Sequence, residues 1–177
     1  MVLRAYGRGI LSTCLVVVEG SSDEGFVEGI AERLRIRCKV LLMRENKPNK
    51  AGRIIRSFSG LRKAIVLKDL HGAGRDVNTL LDRFRDLISQ LRSNKIEAYL
   101  IIVKRSIESW ILAGLCVEGA ESLPDPEEKL REVMRRRGED YIKSKTLLRK
   151  LARELDIEKI MKVSNSFRNF IETLRKP

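Results

Sequence analysis

A strand buried on both faces leaves no alternation of polar and apolar residues, and Thr13 to Glu19 (TCLVVVE) is such a run, β-branched and apolar until it stops at Gly20. The next stretch, SSDEGFVEGIAERLRIR, can be capped by Ser21 or Ser22, carries acids in its first turn, and repeats Phe26, Ile30 and Leu34 at helical spacing. Strand, turn and helix then recur. Lys39 to Met43 reads as a second strand, followed by a basic loop from Arg44 to Arg53 and a short helix around Ile54, Ile55 and Phe58. Ala64 to Lys68 reads as a third strand that delivers Asp69 at its end, with a helix striped by Leu80, Leu81, Phe84, Leu87, Ile88 and Leu91 behind it. Ala98 to Val103 is the fourth, and Ser106 opens a helix carrying Ile107, Trp110, Ile111 and Leu115, with Trp110 expected in the core. Strands alternating with helices predict an α/β chain with a four-stranded, mainly parallel sheet flanked by helices.

After Leu123 the character changes to helix alone: PDPEEKLREVMRRRG, then KSKTLLRKLARELDIEKIMKV, then SNSFRNFIETL. We therefore expect an α/β unit over 1–123 and a C-terminal α-helical, basic extension over 124–177 packed on it as one structural unit. The longest apolar runs are far short of the ~20 residues that span a bilayer, and no signal-peptide pattern opens the chain, so a cytoplasmic location is expected. Cys14, Cys38 and Cys116 are odd in number and lack a C-x-x-C pair, which supports neither a disulfide framework nor a zinc knuckle; all three read as small buried hydrophobes. Abundant Lys, Arg and Glu beside a single Gln resemble the usage of heat-adapted proteins.

In an open parallel sheet, ligands bind beyond the C-terminal ends of the strands, so acids placed there converge even when distant in sequence. Here those acids are Glu19, Asp23 and Asp69, with Glu108 one helical turn past the fourth strand. Gathered carboxylates repel unless a cation neutralises them, and an all-oxygen set suits Mg²⁺ or Mn²⁺. Taken singly, each is also an ordinary loop acid or helix N-terminal charge.

The set VVVEGSSD, IVLKDLHG and SIESWILAG, with DPEEKL and a closing SNSFRNFIETL, resembles the Toprim fold shared by topoisomerases, primases and the overcoming-lysogenization-defect nucleases. The resemblance covers most of the chain. It implies that Glu19 and the acids after the third strand hold Mg²⁺ for phosphodiester chemistry, with Asp23 as a further ligand and Glu108 as ligand or base. Where the family has Asp-x-Asp, this chain has Asp69-Leu70-His71. His71, the only histidine, is either a loop residue or a metal ligand, and as a ligand it shifts preference toward Mn²⁺. Gly72-Ala73-Gly74-Arg75 reads as a tight turn rather than a dinucleotide fingerprint, and no P-loop motif is present. Tyr141 is the sole contextual candidate for a topoisomerase nucleophile.

A net charge of +12 and a pI near 10.0 point to a polyanionic partner, DNA or RNA. Between Arg131 and Arg153 nine basic residues outnumber three acids, and Arg135, Arg136, Arg137, Lys143 and Lys145 are the candidate phosphate contacts there. Arg44, Lys47, Lys50 and Arg53, with Arg56, form a second group at the sheet edge that holds the acids. Three functions follow. The first is a metal-dependent nuclease. The second is a non-catalytic nucleic-acid-binding module, or a subunit of a repair or defence complex, with a vestigial metal site. The third is a small-phosphate enzyme. A homodimer or larger complex is compatible with any of them.

Overall fold

The structure, a computed structural model, describes residues 14–43, 47–70 and 76–177. The basic-loop residue Arg44, His71 and the turn 72–75 lie outside the described residues. Four strands, β1 (Cys14–Val18), β2 (Lys39–Leu42), β3 (Lys63–Asp69) and β4 (Glu97–Val103), form one sheet in the order β2-β1-β3-β4. All three pairings are parallel, with Val16 opposite Val40 on one side and Ile65 on the other. β1 and β3 are central and buried along their length, which is why they read as unbroken apolar runs.

The chain leaves β1 in one direction for β2 and returns past it to β3, so its helices fall on both faces. On one face α1 (Ser21–Leu34) and α4 (Ile107–Gly114) cover Val16, Val18, Ile65 and Leu67. On the other, α2 (Pro48–Arg56) and α3 (Val77–Ser93) cover Leu15, Val17, Ala64 and Val66. Trp110 is fully buried in the first core, stacked on Phe170 with ring centroids 5.6 Å apart, and its indole N–H donates to Ser166 Oγ at 2.9 Å.

The tail is α5 (Pro126–Arg136), α6 (Lys145–Glu154), α7 (Ile157–Val163) and α8 (Asn165–Arg175). The stretch KSKTLLRKLARELDIEKIMKV is two helices, not one continuous segment, because the Asp156 side chain accepts from Lys159 N at 3.1 Å and starts a new helix. Leu130, Leu148, Ile160, Phe167 and Leu174 join the same core as β1 and α4. Lys63 is buried at the start of β3, where its ammonium donates to the carbonyl of Leu174 at 3.2 Å and to that of Lys176, tying the end of α8 to the sheet.

α6 lies against α1 at backbone contact. A Cβ at Gly25 would fall inside the van der Waals envelope of the Lys145 carbonyl, and one at Gly29 would stand 2.8 Å from Ala152 Cβ. Only glycine permits that approach. Two expectations need correction. The N-cap of α1 is Gly20 rather than a serine, and its N–H donates to Asp23 Oδ2 at 3.0 Å. Of the cysteines only Cys14 is buried; Cys38 is half-buried and Cys116 is exposed, in the left-handed region (φ 68) where the chain turns away from the end of α4. No described helix is long and apolar enough to cross a membrane.

Candidate active site

The acids sit where the sheet changes direction. Glu19 follows the last residue of β1, Asp69 ends β3 beside it, Asp23 occupies the first turn of α1, and Glu108 the first turn of α4. Asp23, Asp69 and Glu108 are buried to 9%, 8% and 1% exposure, so three carboxyl groups share a poorly solvated region. Burial raises Asp69 well above the usual carboxylate range, and the charges of Asp23, Glu108 and Glu19 raise it further. Asp23 is pushed up to about 6 by burial, with Glu108 and Glu19 adding to the rise against the hydrogen bond from Gly20 and the charge of Lys143. Asp23 and Asp69 thus titrate in the field of the neighbouring acids.

Among the described residues, Glu19 and Glu108 each face an ammonium. Lys68, one residue before Asp69, forms an ion pair with Glu19. Successive β3 side chains point to opposite faces, so Lys68 turns toward the α2–α3 side and Asp69 toward the α1–α4 side. Glu108 accepts from Lys143 Nζ at 2.7 Å and from the buried hydroxyl of Tyr141 at 3.2 Å. Burial opposes its charge, but the hydrogen bond and charge of Lys143 outweigh that and hold it below the ordinary range. Burial and the neighbouring Glu108 push the Tyr141 phenol upward, away from the phenolate that a nucleophile needs. Lys143 also reaches Glu127 at 3.2 Å, beside a cavity of about 180 Å³ bounded by Arg105, Ser106 and Pro126.

The donor chemistry fits a hard divalent cation: an all-oxygen set in which Asp23 and Asp69 are both raised by burial and by like charge. The geometry is looser than one shared coordination sphere, since among the described residues no three His, Cys, Asp or Glu side chains gather as a group able to hold a metal. Glu19 is drawn aside by Lys68, and Glu108 by Lys143.

No protein-family model matches the chain, and no curated protein does at a significant level. Solved structures do. The C-terminal region of the Burkholderia pseudomallei OLD protein superposes with a TM-score of 0.54 at 15% identity, covering 93% of this chain and 97% of that one. The corresponding region of the Xanthomonas campestris pv. campestris OLD protein gives 0.50 at 14% identity, over 94% and 96%. The fold is Toprim-like, that of the C-terminal region of OLD proteins.

Within this OLD-like fold the two basic groups differ in character. Lys145 pairs with Glu24 and Glu28, both at 2.9 Å, and Arg149 and Arg153 pair with Glu32. Arg136 pairs with Glu132, and Arg137 lies 3.7 Å from Glu139. Arg135 is exposed, with no ion pair among the described residues. Much of the positive excess between residues 131 and 153 is therefore neutralised by α1, whose acids lie over a hundred residues earlier in sequence. The second group lines a cleft of about 500 Å³ between α2 and α3, where Lys47, Lys50, Arg53, Arg56 and Arg83 stand with Asp86 among the described residues. Arg83 is absent from the sequence expectation because nothing in its own helix marks it. The contacts of Tyr141 and Lys143 with Glu108 leave no local signal either, whereas Lys68 has one, its position next to Asp69.

Proposed function

We propose that this chain is a metal-dependent phosphodiesterase that cleaves nucleic acid. The observation that carries the reading is the pair of buried carboxyls, Asp23 and Asp69, both raised by burial and by neighbouring carboxylates, at the switch point of a parallel sheet. The sequence resemblance to Toprim nucleases and the OLD-like fold support it. Asp69 and Asp23 would hold Mg²⁺ or Mn²⁺, joined by Glu19 once it leaves Lys68, and by His71. Bound there, the cation would lower the pKa of a water and offset charge on the phosphate. Glu108, whose charge Lys143 favours and whose carboxylate accepts from Tyr141, would accept a proton. Lys143, at the surface, adds positive charge where a phosphodiester would lie. The α2–α3 cleft and Arg135 would hold the backbone.

The test is cleavage of labelled DNA and RNA with Mg²⁺, Mn²⁺ or chelator, run beside calorimetric titration of each metal. We expect cleavage that needs the metal. Asp69→Ala and Glu19→Ala should abolish it while leaving polynucleotide affinity equal or slightly higher, because unneutralised carboxylates repel phosphate. A second reading, a binding module without catalysis, is favoured by the lysines already seated on Glu19 and Glu108. Binding without cleavage across metals, and without measurable heat of metal binding, would establish it in place of the first.

A further inference from the structure

The register of β1 against β2 places Leu15 opposite Lys39 and Val16 opposite Val40. Extended one step toward the N-terminal end of the sheet, that register sets Cys14 opposite Cys38. The pair also shares a face: Cys14, Val16, Val18 and Val40 belong to one core, and Cys38 packs against it. Neighbouring strands run about 4.7–4.9 Å apart, inside the Cα separation of about 4.4–6.8 Å that disulfides span. Cys38 directly precedes β2 and is not held in its ladder. The two thiols act on each other electrostatically, which is independent of the register argument. Burial pushes Cys38 up to about 12, and the neighbouring Cys14 contributes to that rise.

We propose that Cys14 and Cys38 are an oxidisable pair that takes a disulfide, cross-linking β1 to the edge strand β2. The co-reactant is a low-molecular-weight disulfide. Cys38, the half-buried member, meets it first: its thiolate attacks one sulfur, and the S–S bond breaks to release one thiol. Cys14 then gives up its proton, attacks the Cys38 sulfur of the mixed disulfide and expels the second thiol. Two cysteines are oxidised and one external disulfide is reduced to two thiols. Both raised thiols make the exchange slow, as expected of a cross-link that holds structure rather than a redox catalyst. The cross-link closes the loop containing α1 and fixes the register of the strand that leads toward the basic cleft. It does not depend on the chain being a nuclease.

The experiment uses the full chain carrying Cys116→Ser, which removes the exposed thiol. The protein is equilibrated with oxidised glutathione, unfolded, treated with iodoacetamide and weighed intact, then digested. Expected are a mass lower by two hydrogens, no alkylation, no retained glutathione, and a linked peptide pair containing Cys14 and Cys38. Thermal unfolding should move up on the order of 5–10 °C and return with dithiothreitol. Adding Cys38→Ala should remove that shift. Alkylation of both cysteines after prolonged oxidation, or a stable glutathione adduct on Cys38 with Cys14 still alkylated, would overturn the proposal.

Discussion

Asp23→Asn tests the electrostatics of the acidic site directly. In the folded, metal-free protein Asp23 is pushed from an ordinary 3.8 up to about 6, whereas in the unfolded chain it titrates normally. The folded state therefore binds the proton more tightly, and its charged form costs stability. That cost is absent below 3.8, grows as pH rises through the interval, and is complete above about 6. At about 1.36 kcal/mol per pH unit the full cost is on the order of 3 kcal/mol. Asparagine removes the charge, and its side-chain oxygen can still accept from Gly20 N. In chelator at pH 7, Asp23→Asn should raise the melting temperature by about 5–10 °C, and the gain should shrink toward zero at pH 4. Adding Mg²⁺ or Mn²⁺ should stabilise the unsubstituted protein and leave the variant nearly unmoved. Differential scanning calorimetry from pH 4 to 8, with and without metal, reads all of this. A variant that is less stable than the parent at pH 7, or a gain that does not change with pH, would show that burial of a charged Asp23 carries no such cost.

Lys143→Met leaves Glu108 buried without its ammonium, and should destabilise the protein by about 1–2 kcal/mol at pH 7 and by less at pH 5, read by urea titration. Gly25→Ala forces a methyl group into the Lys145 carbonyl and should cost on the order of 3 kcal/mol by the same assay, while Gly138→Ala, with open space around it, should cost about 1 kcal/mol from backbone strain alone. Replacing Arg53, Arg56 and Arg83 by Ala should flatten the salt dependence of polynucleotide affinity by up to about 0.9 log units per lost phosphate contact, and by more than replacing Arg136, Arg137 and Lys145, whose charges are already paired.

What could be read from the sequence was local. The four strands, the acid at the end of β3 and the helical character of the tail each follow from residues adjacent in the chain, so spacing alone exposed them. The charge of the tail could not be read that way, because the partners of Lys145, Arg149 and Arg153 are Glu24, Glu28 and Glu32, brought alongside only by the packing of α6 on α1. Tyr141 was weighed only as a nucleophile, since its hydrogen bond to a residue 33 positions earlier leaves no trace in its neighbourhood. The break at Asp156 has a local signal, an aspartate at an N-cap position, set within an apolar period that continues on both sides of it.

The seam before Pro126 invites a cut that the packing of α6 on α1 opposes. Gly25 and Gly29 are meaningful only if α6 is present, and they sit on the helix that carries Asp23. A fragment ending at residue 123 would bare the glycine face of α1 and the apolar side chains around Trp110, and would take Lys143 and Tyr141 from Glu108. The extension is therefore not a module that could be traded between proteins or appended late in the history of the chain without remaking α1. Any chimera that keeps the acids of this chain must keep its tail as well.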